Sequence, residues 1–116
     1  MVIGSFQILN LIRNKVPFMM VGISTTDESQ EKLLHDLKNG LNPMERVYLD
    51  RVLQLTQATP EEFLKQLQSD KISQSHPIVF ISSPDDLSKK FAQHFQEQNF
   101  INAYYVLGGS AELHLE

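Results

Sequence analysis

The sequence contains no cysteine. This absence excludes thiolate nucleophiles, persulfide carriers, disulfide bonds and cysteine metal sites. Long apolar runs are also absent, because the longest, residues 16–23, is far shorter than the roughly 20 residues of a membrane-spanning helix. A signal peptide has a basic start followed by a long apolar stretch, and the sequence shows no such pattern. We therefore expect a protein without a membrane partner, located in the cytoplasm.

Positive charge is scarce. Ten basic residues stand against fourteen acidic ones, which gives a formal net charge of −4. Residues 1–58 hold equal numbers of each sign, so the whole excess of negative charge lies in residues 59–116. A broad surface for nucleic acid or anionic membrane is disfavoured, and we expect no nucleic-acid partner.

The 116 residues and an apolar fraction of 41% predict a single domain over residues 1–116 with a hydrophobic core of its own. The last two residues, Leu115 and Glu116, have the form of a cloning remnant and are not interpreted.

Two apolar runs without polar alternation, residues 18–23 and 77–81, predict strands buried inside a sheet. A third strand is predicted over residues 103–107. Because helical patterns stand between them, the predicted fold class is α/β, a small parallel sheet flanked by helices on both faces in three layers. The helices are predicted over residues 5–14 and 27–39, and from residues 59 and 83 onwards.

Helix starts are signalled by caps followed by proline or acidic residues. The sequence Thr59-Pro60-Glu61-Glu62 is the clearest. In the same way Ser83 is predicted to cap the next helix, with Pro84 at its first position and Asp86 near its third. Ser5 is predicted to cap the first helix.

Other segments give weaker patterns. Within residues 44–58 a strand is predicted around Arg46–Leu49. Gly40 is predicted to end a helix in the left-handed conformation. Gly108-Gly109 predicts a tight turn after the last strand, and Ser110 the cap of a final short helix.

The second half carries a succession of motifs. Pro77–Ile81 reads P-I-V-F-I, Asn99–Tyr104 reads N-F-I-N-A-Y, and a glycine pair follows at Gly108-Gly109. This succession resembles the C-terminal half of a rhodanese-like domain and covers about a third of the chain. The first half departs from that family, because its aspartate-x-arginine pair falls at Gly22 and Ser24 and its glycine-histidine-isoleucine-proline-glycine-alanine segment is absent.

The resemblance implies that an ancestral site lies at the carboxyl end of the strand at residues 78–81. Ser82 stands at the position of the family's catalytic cysteine, Asp85 at that of a glycine and Leu87 at that of an anion-holding arginine, and only Ser88 keeps the family's residue type. An engineered cysteine-to-serine change would not account for the other two departures. The candidate binding loop comprises Ser82, Ser83, Asp85, Asp86, Leu87 and Ser88.

The chemistry of this loop argues against anion binding. A cradle of backbone N–H groups holds anions where several of them converge, but Pro84 lacks an N–H group. Asp85 and Asp86 add two carboxylates, each costing on the order of a kcal/mol at ~4–6 Å from a bound anion. The loop is therefore predicted to be catalytically degenerate and to form an ordinary helix start.

Catalysis by Ser82 would need a base within hydrogen-bond range. His76 would lie roughly 20 Å away along the chain, and nothing in the sequence brings His35 or His94 to Ser82. The four histidines, which include His114, lack the i, i+4 spacing of a zinc helix. We expect no catalytic residue, no metal and no cofactor.

Adjacent carboxylates occur at Glu61-Glu62 and Asp85-Asp86. Side chains of adjacent helical residues point about 100° apart, so neither pair converges for acid–base chemistry. Tyr104 or Tyr105 is a candidate aromatic anchor for a partner.

The sequence favours a non-catalytic rhodanese-like domain that binds a protein partner or has a regulatory or scaffold role. The alternative is a small enzyme that uses Ser82 or Ser88 on a neutral substrate. A homo-oligomer with a structural role is a third hypothesis.

Overall fold

The computed structural model describes residues 2–83 and 85–110. This part of the chain forms one five-stranded parallel sheet and five helices, which confirms the predicted α/β class. In chain order the elements are β1 (Val2–Ile3), α1 (Ser5–Arg13), β2 (Met19–Ile23), α2 (Asp27–Lys38), α3 (Pro43–Val52), β3 (Leu53–Thr56), α4 (Pro60–Ser69), β4 (Ile78–Ile81), α5 (Asp86–Glu97) and β5 (Ala103–Val106).

The strands lie in the order β1-β5-β4-β2-β3, and every pairing is parallel. The apolar runs 18–23 and 77–81 form neighbouring strands, with Met20 opposite Val79 and Val21 opposite Phe80. All residues of β2 and β4 are buried, as their unbroken apolar sequences predicted.

Successive residues of these central strands face opposite sides of the sheet. On one side Met20 and Val79 pack with residues of α1, α2 and α3, such as Leu33 and Leu49. On the other side the core joins β2 and β4 to α4 and α5. It contains a group of aromatic rings at Phe63, Phe80, Phe91, Phe95 and Phe100. The helices therefore cover both faces, as predicted.

The strand predicted around Arg46–Leu49 is wrong. These residues belong to α3, and the strand β3 follows directly after the helix. The helix forms because Asn42 and Glu45 exchange hydrogen bonds: the Asn42 side chain accepts the Glu45 N–H at 2.8 Å, and Glu45 Oε1 accepts the Asn42 N–H at 3.0 Å. Pro43 occupies the first turn, where its missing N–H is harmless.

Several helix boundaries agree with the sequence signals. Thr59 caps α4, and Gly40 takes a φ of 83° after α2. Ser5, however, is the first residue of α1, and Gly4 occupies the N-cap position. Gly4 donates its N–H to Gln7 Oε1 at 2.7 Å, which closes the start of this helix. The predicted final helix beyond Ser110 lies outside the described residues.

Candidate functional site

The carboxyl ends of the parallel strands meet at one edge of the sheet, where α/β proteins place their ligands. Ser24 directly follows β2, and Ser82 directly follows β4. Ser110 lies beyond the turn that leaves β5 and donates its N–H to the Ser82 carbonyl at 3.0 Å. The fold thus gathers serines at the edge where the sequence predicted the loop.

The hydroxyl of Ser82 has a structural partner. Its oxygen accepts the backbone N–H of Ser88 at 3.0 Å, and only 1% of Ser82 is exposed. Ser88 is the third residue of α5, and its N–H is one of those that a helix start leaves without an intrahelical acceptor. Asp85, in the N-cap position, makes no side-chain cap bond. Ser82 therefore caps α5 from the end of the preceding strand.

The prediction that Ser83 caps this helix is wrong, because Ser82 supplies the acceptor and Ser83 is exposed. Asp86 is the first helical residue and does not stand near the third position. Pro84, predicted at the first helical position, lies outside the described residues.

The Asp85 side chain bonds outside its own helix. Its Oδ2 accepts the N–H of Gly108 at 2.9 Å, which holds the Asp85 side chain toward the turn after β5. Gly108 and Gly109 have φ values of 81° and 76°, so the predicted turn uses glycine at both positions. Ser88 Oγ in turn donates to the Asp85 carbonyl at 3.0 Å. Side chains of the loop therefore bond both to the loop backbone and to the turn after β5.

A second set of bonds extends this edge to α2. Ser110 Oγ donates to Asp36 Oδ2 at 3.0 Å, and the same carboxylate oxygen lies 3.4 Å from Lys32 Nζ. Sequence reasoning missed Asp36, because the two bonded residues are 74 positions apart and no local pattern marks such a pair.

The packing around position 22 leaves no room for a side chain larger than that of glycine. A Cβ atom on Gly22 would lie 2.9 Å from Cδ2 of both Leu33 and Leu55, so an aspartate does not fit there without displacing them. Ser24 is 6% exposed, and its hydroxyl has no hydrogen-bond partner within residues 2–83 and 85–110. Its N–H donates to the Thr56 carbonyl at 3.1 Å.

These contacts limit what the loop can do chemically. The hydroxyls of Ser82 and Ser88 belong to buried residues and take part in helix-start bonds. Asp86 and Ser83 are exposed, and Asp85 and Leu87 are partly exposed. The accessible part of the loop is therefore acidic or neutral, which suits cationic or neutral groups and repels anions.

The histidines occupy separate elements. His35 lies on α2, His76 precedes β4, and His94 lies on α5 with its ring centroid 6.4 Å from that of Phe95. His114 lies outside the described residues. Within the described chain, no group of three or more histidine, aspartate or glutamate side chains is placed to hold a metal ion.

Glu61 and Glu62 stand at the start of α4, as their position after Thr59-Pro60 indicated. Glu62 Oε1 accepts the Thr59 N–H at 3.1 Å, and the Thr59 backbone and hydroxyl hold the pKa of Glu62 below its usual value. This carboxylate serves the helix cap.

Neither tyrosine of β5 is fully exposed. Tyr104 packs against the core beside α1, and Tyr105 packs against the core on the opposite face. Tyr104 also lines a cavity of about 320 Å³ with Leu11 and Asn102.

The fold and site define an α/β protein in which a serine at the carboxyl edge of the sheet caps the helix that follows. Comparisons with protein-family models, with curated proteins and with solved structures found no match. None of the described helices combines the length and the apolar character that crossing a membrane requires.

Proposed function

We propose that this protein is a catalytically inactive rhodanese-like domain that binds a partner protein in a regulatory or scaffold role in the cytoplasm. The observation that carries the proposal is the hydrogen bond from the Ser88 N–H to the Ser82 hydroxyl. The resemblance implies a reactive thiol at this position. Here the buried Ser82 hydroxyl instead accepts a hydrogen bond from a backbone N–H and stabilises the start of a helix.

The parallel sheet covered by helices on both faces supports the proposal, since the resemblance implies this architecture. The position of the loop supports it further, because Ser82 follows a central strand at the carboxyl edge of the sheet. Segment 77–109, which carries the resemblance, runs from the residue before β4 through the glycine turn.

The absence of catalysis follows from two physical features. A serine nucleophile must reach its substrate and give its proton to a base, whereas Ser82 is only 1% exposed and its oxygen accepts a hydrogen bond from the Ser88 N–H. An anion cradle needs free convergent N–H groups, whereas the N–H groups of Ser88 and Gly108 already have side-chain acceptors. The exposed Ser83 and Asp86 are then the loop residues available to a neutral or cationic group of a partner.

Enzyme assays test the inactive state. We expect the purified protein to show no sulfur transfer from thiosulfate to cyanide and no hydrolysis of phosphate esters. A variant with Ser82→Cys is also expected to stay inactive, because the carboxylates of Asp85 and Asp86 remain in the loop and repel anionic substrates. Turnover that scales with protein concentration and disappears in Ser82→Ala would overturn the proposal.

Affinity capture from cells of the source organism tests the binding role. A partner that binds the wild-type protein is expected to bind the double variant Ser83→Arg, Asp86→Arg more weakly, since these two exposed residues then carry positive charge. The matched control is Lys89→Glu, which changes charge at an exposed position of α5 outside the loop. Equal capture of the partner by the wild type, the double variant and the control would show that the loop is not part of the interface.

A further inference from the structure

One face of α3 carries exposed apolar side chains. Met44, Val47, Tyr48 and Arg51 follow the i, i+3, i+4, i+7 spacing of a single helix face. Met44 is 72% exposed and Val47 53% exposed, whereas Leu49 points into the core and is fully buried. Tyr48, on the same face, is partly buried and packs against the core, so the exposed apolar stripe of Met44 and Val47 lies beside the face that α3 uses for folding.

The stripe borders a groove between α3 and the end of α1. The groove encloses about 200 Å³, with Arg13 and Lys15 on one side and Met44 and Tyr48 on the other. A smaller adjoining hollow of about 70 Å³ shares Lys15, Met44 and Tyr48 and is bordered by Arg51. We call the two together the α1–α3 groove.

Two long-range contacts fix the walls of the α1–α3 groove. Tyr48 donates its hydroxyl proton to the Val16 carbonyl at 2.6 Å. Arg13 Nε lies 2.9 Å from Glu45 Oε2, which joins α1 to α3. A groove held in shape before binding loses less conformational freedom when a ligand enters.

The charge around the groove is opposite to that of the whole protein. The net charge of the chain is −4. The acidic residues of α3, Glu45 and Asp50, are paired with Arg13 and Lys38. The exposed cations Lys15 and Arg51, which line the groove, have no ion-pair partner in the part of the chain that the structure describes.

We propose that the α1–α3 groove binds a protein segment in which apolar side chains are flanked by acidic residues. The apolar side chains would cover Met44 and Val47, and the carboxylates would face Lys15 and Arg51. Methionine, tyrosine and arginine are the residue types enriched where proteins meet, and all three line this groove. The proposal does not depend on the state of the Ser82 loop, because none of the loop residues lines the groove.

The experiment uses a short synthetic peptide with leucines along one side of a helix and glutamates beside them. Its binding to the ¹⁵N-labelled full-length protein is followed by amide chemical-shift changes and by fluorescence anisotropy. A peptide with lysine in place of each glutamate is the matched control. We expect the acidic peptide to shift amides of α3 and of residues 13–16, to bind at least about tenfold more tightly than the lysine peptide, and to weaken as salt is added.

Two protein variants locate the binding site. Met44→Asp removes apolar surface near the start of α3, where an acidic residue favours the helix, and Arg51→Glu reverses one charge. Each is expected to weaken the acidic peptide at least about tenfold. Ile101→Asp is the control, because Ile101 is 65% exposed and does not line the groove, and it is expected to change affinity less than about twofold.

Three outcomes would overturn the inference. They are equal binding of the two peptides, shifts confined to residues outside the groove, and α3 amides that move with protein concentration in the absence of peptide, which would identify the groove as a contact between copies. If the acidic peptide does not bind, the proposed absence of catalysis is not affected, because the sulfur-transfer assay tests catalysis separately.

Discussion

The Ser82 hydroxyl accepts the backbone N–H of Ser88 across the loop that joins β4 to α5, at 3.0 Å. In most helices the N-cap side chain accepts an N–H of the first turn. In α5 a side chain at the end of the preceding strand accepts it instead. The residue at the N-cap, Asp85, is free for a different bond, to the Gly108 N–H in the turn after β5. One loop therefore joins β4, α5 and the exit of β5.

Replacing Ser82 by alanine removes the acceptor of the Ser88 N–H in a buried position. A buried donor left without a partner costs about 1–3 kcal/mol, so Ser82→Ala is expected to lower the free energy of unfolding by that amount. Urea denaturation followed by circular dichroism measures it. The control is Ser83→Ala at the neighbouring exposed position, which should change stability by less than about 0.5 kcal/mol. Equal stability of the two variants would show that the Ser82 bond does not support α5.

The Asp85 carboxylate gives a second prediction. Asp85→Ala removes the acceptor of the Gly108 N–H and is expected to cost about 0.5–1.5 kcal/mol, the net value of an ordinary hydrogen bond. The exchange of the Gly108 amide with deuterium should accelerate, because the bond that protects it is lost. Asp85→Asn keeps an acceptor oxygen and should retain most of that protection. Unchanged exchange in Asp85→Ala would argue against the bond.

The central strands were predictable because burial on both faces imposes an unbroken apolar sequence, and residues 18–23 and 77–81 have one. The edge strand β3 was harder, because its residues Leu53–Thr56 are mixed in character and follow a helix with no intervening turn signal. In α3 the spacing of Val47 and Leu49 matched a strand, whereas the reciprocal bonds of Asn42 and Glu45 favour a helix.

The strand pattern predicted where the candidate loop lies, but it did not predict which hydrogen bonds the loop makes. Local capping rules place the cap just before the first helical residue, and they cannot anticipate an acceptor on the preceding strand such as Ser82. The contact of Ser110 with Asp36 is equally invisible in sequence, because it forms only when α2 and the end of β5 are packed together.

Two carboxylates are predicted to titrate below their usual value of 4.5. The Asn42 backbone N–H and then the Arg13 side chain lower the pKa of Glu45, and the Thr59 backbone N–H and hydroxyl lower the pKa of Glu62. Because each folded pKa lies below the unfolded one, the stabilisation is present above pH 4.5 and is lost as the pH falls through the folded pKa.

Carboxyl NMR titration measures both values. Arg13→Gln should raise the pKa of Glu45 toward 4.5, since it removes a positively charged donor. The pKa of Glu62 should not move, because Glu62 lies in a different cap, so it serves as an internal control. A wild-type Glu45 that titrates at or above 4.5 would contradict the ion pair with Arg13.

One buried and one exposed phenylalanine form a matched pair for measuring the contribution of the aromatic core. Phe95 is fully buried, with its ring centroid 5.0 Å from those of Phe80 and Phe100, whereas Phe6 is 74% exposed on α1. Phe95→Ala is expected to cost about 3–5 kcal/mol, because it removes apolar contacts and leaves a cavity. Phe6→Ala should change stability by less than about 0.5 kcal/mol. Thermal and urea unfolding of both variants measure the difference, and a similar loss in the two would mean that Phe6 is covered in solution, as it would be in a homo-oligomer.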